Sequence, residues 1–465
     1  MHLAIDFGTS YTQLGYMING SFVSLTDSKG IPTVFAYIRD SDELVFGYNA
    51  LKVEHFYFKH YLKTPHHFKV GNYTLYDILF NYFSFLNENF ILPHNLNLDT
   101  VNLSTPNYIG INAKRLLINS LSQVFKNTKI NLVPEPVAAI IGQTMVNKHT
   151  SLDGDILVID MDGSLINFSF LTLFSDRQEI MMESSFQVIL DDFTEIEKLN
   201  LFLDQNIRNE ARKLGIYSNN IWKLDDIILV GENSHDKEVY EFFNNYFSPL
   251  RVTLAQDANL NIVKGLATWP DSPDIATKLI YPFDFYIKKY NTESTSFTLD
   301  LIPFDTVNLD LDIKGKYTLC SLPLKSHYNL STDKNLVKFM IYEISKDTPV
   351  EDIEMFSGEE IEVQVDLSND ELIDFIDIEF DLYNWELMVS YTQANYEVNK
   401  TDSFDNYLVG QNLAWLDFAE DIYNQELKTD LELFLNNTDI SSELTLDEHL
   451  ELVKFKLLAL LQYIS

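Results

Sequence analysis

Two segments about 150 residues apart carry the same pattern, and this repetition limits the possible folds more than any other feature of the chain. Residues 2–18 read HLAID, FGTS, YTQLGYM: an apolar strand ending in Asp6, a turn containing Gly8, and a second strand. Residues 156–173 read ILVIDMDGSLINFSFLTL: an apolar strand reaching Asp160, a turn at Gly163, and again a returning strand. Two such hairpins suggest a duplicated fold in which each half contributes one turn to a shared cleft.

The intervening pattern supports layered α/β structure. Residues 73–90 carry apolar side chains at helical spacing, 101–105 read as a strand, 112–125 as a helix, 130–136 as strand and turn, and 137–146 as a helix. Residues 226–231 form a strand ending in Gly231. A helix is expected at 236–246, a strand at 251–255 and a helix at 260–269. PDSPD at 270–274 is the best linker candidate. Beyond it, FTLDLI, TVNLDLDI, KYTLCSLPL, VKFMIYEI, IEVQVDL and IDIEFDL alternate apolar and polar residues, which predicts an antiparallel sandwich or barrel. Helical periodicity returns from about 403.

Charge separates the two regions. The net charge of the 465 residues is −36; residues 271–465 carry 39 acidic and 13 basic residues, a net of −26, against −10 for residues 1–270. Nucleic acid and anionic membrane surfaces need clustered positive charge, so neither is an expected partner. A single cysteine, Cys320, excludes an internal disulfide framework and a Cys-based zinc site. MHLAIDFGTS lacks the pattern of a secretory leader, and no apolar run spans a bilayer, so the cytoplasm is the expected location.

A carboxylate beside a tight turn of small residues suits a nucleotide bound with a divalent cation. Backbone N–H groups would cradle phosphate oxygens while the Asp holds metal-bound water, and Thr9 and Ser10 would add hydroxyls. Asp and Gly are equally ordinary turn residues.

In this order the motifs resemble those of the DnaK-type 70-kDa heat-shock chaperones, within the actin-like ATPase superfamily. AIDFGTSYT (4–12) resembles the first phosphate loop, and IPTVFAY (31–37) and FGYNA (46–50) the segments after it. FYFK (56–59) aligns Lys59 with the lysine that aids phosphate transfer. VNLSTPNYIGINAKRLL (101–117) resembles the strand-turn-helix before the first connecting segment, and LVPEPVAAIIG (132–142) that segment itself, with Glu135 and Pro136 in place. ILVIDMDGS (156–164) resembles the second phosphate loop and IILVGEN (227–233) the adenosine loop. LIYPFDFYI (279–287), IPFDTV (302–307) and IDIEFDLYNWELMVS (376–390) resemble the peptide-binding β-sandwich.

The resemblance implies a two-lobed actin-like α/β ATPase fold over 1–270, an all-β sandwich over 275–395 and a short α-helical, lid-like end over 403–465. It implies catalytic roles for Asp6, Lys59, Glu135 and Asp160. Nucleotide contacts would come from Gly8, Thr9, Ser10, Tyr11, Gly163, Ser164, Gly231, Glu232 and Asn233. Mg would be held through water by Asp6 and Asp160, with ATP or ADP as cofactor if the cleft is competent and none otherwise.

The chain departs from the family at these sites. Where the family has three glycines and a threonine, Asp162, Gly163, Ser164 and Leu165 stand, and the later Asp of the motif is Asn167. Glu232 replaces the second glycine of the adenosine loop, and His235 aligns with the family's Arg. Only about 50 residues separate Phe170 from Asp225, with LDDF (190–193) like the entry to the adenine-clamp subdomain and NEARKLG (209–215) like the helix after it. The clamp is therefore expected to be missing. These changes predict weakened or lost ATP binding and hydrolysis in a protein that binds polypeptide or a dedicated protein partner. An active chaperone ATPase and a structural scaffold are the alternatives; the oligomeric state stays open.

Other features have plain readings. His55, His60, His66 and His67 cluster around Pro65 without metal-ligand spacing. Lys59 reads either as the catalytic lysine or as a surface lysine. The acidic stretch 351–375 suits the solvated face of a sheet, or a selector for basic segments, and the apolar residues of 446–464 suit packing, a lid or an oligomer contact.

Overall fold

The computed structural model describes residues 1–63, 68–146, 153–163, 165–174, 179–189 and 196–269. It also describes 276–279, 283–291, 296–302, 309–310, 316–323, 328, 330, 336–346, 359–366, 373–381, 386–393 and 396–403. The linker candidate 270–274, Ser164, LDDF at 190–193, His66, His67 and the helical end after 403 lie outside the described residues.

The first half opens with β1 (His2–Phe7), β2 (Tyr11–Ile18) and β3 (Ser21–Ser24), joined antiparallel in sequence. Asn19 and Gly20, with φ of 52° and 75°, make the two-residue turn between β2 and β3. Asn-Gly is the strongest short hairpin signal, because both positions need positive φ. Helix α1 (Leu75–Leu86) begins in a reciprocal cap between Thr74 and Asp77. Strand β4 (Thr100–Thr105) lies parallel to β1, and every one of its residues is buried. Helix α2 (Ile111–Val124) leads to β5 (Lys129–Pro134), parallel to β4. Helix α3 (Glu135–Val146) follows directly. It starts at Glu135, where a turn was expected.

The second half repeats this plan. β6 (Gly154–Asp162), β7 (Leu165–Phe174) and β8 (Glu179–Ile189) run antiparallel. β9 (Asp226–Val230) is parallel to β6, and β10 (Val252–Leu254) is parallel to β9. Helix α4 (Lys237–Tyr246) lies between β9 and β10, and α5 (Asn261–Thr268) follows β10. The main paths through the two sheets are β5-β4-β1-β2-β3 and β10-β9-β6-β7-β8, the same arrangement twice. The duplication read from the two hairpins therefore extends to both sheets.

Each half has its own core. Leu3, Ile5, Phe7, Leu103 and Leu117 pack together in the first. Leu157, Ile159, Phe168, Leu229 and Phe243 do so in the second. Between β8 and β9 the described chain forms one helical run, Ile196–Phe202, Leu203–Ile207 and Arg208–Lys213, then the short hairpin Tyr217–Ser218 and Ile221–Trp222. Residues 209–213 are thus the end of that run.

Helices α3 and α5 touch where side chains are smallest. A Cβ on Gly265 would lie 1.8 Å from the Ala138 carbonyl oxygen, and one on Gly142 2.1 Å from that of Asn261. No side chain fits between these backbones. Gly265→Ala is expected to force the helices apart and destabilise the protein by roughly 1–3 kcal/mol, read as a fall in melting temperature.

The first compact unit does not stop at residue 270. It comprises residues 1–284, 302–321 and 377–387. Strand Ala276–Leu279 adds parallel to β8, and Leu309–Asp310 pairs with it. The second unit comprises residues 285–301 and 322–376 and resumes at 388. The later strands form two four-stranded sheets. One runs Ser296–Leu301, Phe283–Asn291, Leu336–Ser345, Glu359–Asp366; the other runs Lys316–Pro323, Ile373–Asp381, Glu386–Gln393, Tyr396–Ser403. Strand Tyr396–Ser403 carries β structure past the expected boundary at 395.

Candidate functional site

The turns after β1 and β6 face each other, and the cavity between them holds most of the residues singled out from sequence. Asp6, Gly8, Tyr11, Lys59, Glu135, Asp160, Gly231 and Glu232 line a space of about 210 Å³. Ordinary small-molecule sites run to roughly 300–1,000 Å³. Thr9, Ser10, Gly163 and Asn233 do not line it, and Ser164 lies outside the described residues.

Asp162 explains part of this. Its carboxylate accepts the backbone N–H of Thr9 through Oδ2, and that of Ser10 through Oδ1 at 3.3 Å. Two successive amides pointing at one group form a concave anion site. The sequence reading placed Asp162 beside a phosphate; the structure places it on the amides that a phosphate would use. The turns also abut, since a Cβ on Gly163 would lie 2.3 Å from Ser10 Oγ. Gly163 itself has φ of 61°, which favours glycine.

Lys59 begins the 3₁₀ turn Lys59–Lys63, and Glu135 begins α3, where the helix N-terminus favours a carboxylate. Their charged groups meet at 2.6 Å, with side chains 4 % and 5 % exposed. The surface-lysine reading is overturned: Lys59 is buried with its ammonium over the Phe7 ring, around which Phe58, Tyr82 and Phe83 pack. Burial is the largest single influence and works against its charge, but the Glu135 carboxylate together with Tyr108 and Asp162 outweighs it and holds the ammonium above its usual range. Burial raises Glu135, and Lys59 opposes the rise.

The other acids are less well compensated. Ser104 donates to Asp6 Oδ1 at 2.9 Å. Burial, reinforced by Glu135, nonetheless pushes the Asp6 carboxyl up to about 7, with Lys59 opposing. Asp160 is raised well above the carboxylate range by burial, then by Glu135, Asp162 and Asp6. A folded-state value above the ordinary one stabilises the protein at low pH and loses that contribution as pH rises through about 7. Asp6→Asn keeps the acceptor for Ser104 and removes the titration. It is expected to be more stable than the parent at pH 8, by at most about 4 kcal/mol, with the difference closing toward pH 4. Urea unfolding at both pH values measures it.

At the mouth, Gly231 takes φ of 91° and Glu232 opens the turn Glu232–His235. Asn233 Nδ2 donates to the Gly163 carbonyl at 2.6 Å, so Asn233 braces the second hairpin. Asn259 Nδ2 donates to the Ser28 carbonyl at 2.6 Å and ties the halves together at the rim. Sequence reasoning missed Ser28, Lys29, Gln13 and Asn259, which also line the cavity. Gln13 was accessible, since it shares a face of β2 with Tyr11; the loop residues carry no local signal.

The fit to a nucleotide with Mg is poor where the phosphates would sit, because Asp162 already takes the Thr9 and Ser10 amides. Among the described residues no group of three His, Cys, Asp or Glu is arranged to hold a metal ion. His55 Nδ1 contacts the Val53 carbonyl, and burial pushes His60 down to about 4. No described helix is long and apolar enough to cross a membrane. No protein-family model matches the chain, and comparison with curated proteins gives no significant match.

Proposed function

We propose that this chain is a divergent DnaK-like protein of actin-like architecture that binds polypeptide or a dedicated protein partner, without an ordinary ATP cycle. The observation that carries this reading is the Asp162 carboxylate on the Thr9 and Ser10 amides. A group held there competes with any phosphate and repels it. The repeated sheet order supports the actin-like part, and the short connection between β8 and β9 supports the loss of the adenine clamp.

An active ATPase is the rival, favoured by the convergence of Asp6, Lys59, Glu135 and Asp160 on one cavity. Isothermal titration with Mg-ATP decides between them. The expected result is no binding in the micromolar range and no turnover; micromolar binding with turnover overturns the proposal. A peptide array tests the binding role, with extended apolar or basic peptides expected to be enriched. An array without enrichment favours a scaffold.

A further inference from the structure

Acidic groups outnumber basic ones around the cavity, and two of them are poorly partnered among the described residues. Glu135 is paired with Lys59, and Asp162 is satisfied by two amides. Among the described residues the Asp6 carboxyl receives only the Ser104 hydroxyl. Asp160, 7 % exposed, borders the cavity and receives no hydrogen bond from any described residue. A buried carboxyl group without a partner is unfavourable, and a site that retains one needs a partner from elsewhere.

We infer that this cavity is a site for an organic cation, a guanidinium or ammonium group on an aliphatic stem, seated against Asp160 and Asp6. The cavity, about 210 Å³, exceeds what a bare ion fills. Ile262 and Ala258 supply apolar wall for a stem, and Tyr11 supplies an aromatic one. A planar guanidinium can donate to two carboxyl groups at once, which an ammonium does less well. A metal ion is the weaker match, since no described trio of acids or histidines is arranged to hold one. The overall charge of −36 also concentrates cations near the surface. The inference rests on the proposed function in one respect: nucleotide does not fill the cavity.

Titration of the full chain with agmatine, at fixed ionic strength, tests it. Saturable binding is expected, weakened roughly tenfold or more in Asp160→Asn. Should that variant not fold, Glu232→Gln at the exposed rim is expected to weaken binding severalfold. A short arginine-containing peptide as second titrant separates the sources. Peptide binding as tight as agmatine assigns the group to a protein partner, agmatine binding alone assigns it to a free amine, and both uphold the site. No saturable heat from either titrant overturns it, as does binding undiminished by these substitutions. Magnesium chloride that saturates the site and displaces agmatine also overturns it. Micromolar Mg-ATP binding would instead remove the proposed function, whereas absence of both agmatine and ATP binding removes this inference alone.

Discussion

Lys59→Met is expected to lower the free energy of unfolding by about 3–5 kcal/mol, because it strands the buried Glu135 carboxylate without its cation. Asp6 and Asp160 make the loss larger, since Lys59 is the cation that opposes the rise of both. The double variant Lys59→Met with Glu135→Leu is expected to recover most of this stability, as apolar replacements of a buried pair often do. Denaturant unfolding of the three variants, including Glu135→Leu alone, completes the cycle. A loss under about 1 kcal/mol for Lys59→Met would show that the pair contributes little. The result also bears on function: a lysine committed to a structural ion pair is not available to a phosphoryl group.

The second large effect concerns Asp162. Asp162→Gly removes the carboxylate from the Thr9 and Ser10 amides and exposes both donors. A charge held ~4 Å from a phosphate costs on the order of 1–4 kcal/mol at effective dielectrics between water and a protein surface. Affinity for pyrophosphate is therefore expected to rise ~10–1000-fold in the variant. Stability should fall modestly, because a charge-assisted contact between the two hairpins is lost. Unchanged pyrophosphate affinity would mean that the amides do not form an anion site even when free, and the reading of Asp162 as their occupant would fail.

Local pattern made much of both halves legible. Apolar runs marked β1, β4, β6 and β9, and helical spacing marked α2, α4 and α5 within a residue or two; the helix read over 73–90 is α1, Leu75–Leu86, continued by a π turn over Asn87–Ile91. Asn19-Gly20 carried a hairpin signal that went unused, so β3 was not anticipated. Strand β8 and the added strand Ala276–Leu279 were missed because their place depends on a neighbour's edge. The acidic character of Asp162 was legible, and so was its conflict with phosphate. Its partners were not, because they lie 153 and 152 residues away and are set by how two hairpins face each other. Lys59 was placed by resemblance alone; its burial follows from packing that no local spacing encodes.

The crossing of α3 and α5 acquires a mechanical meaning when set beside Asp162. Gly142 lies seven residues along α3 from Glu135, about 10 Å below the cavity at 1.5 Å per residue. One pair of contacts pins the halves at the crossing, and another pins them at the rim. A body fixed at two separated points can turn only about the line that joins them, so rocking of one half against the other is confined to a single axis. Disturbance of one half then reaches the other as elastic strain, and slow amide exchange across the turns would be its visible trace.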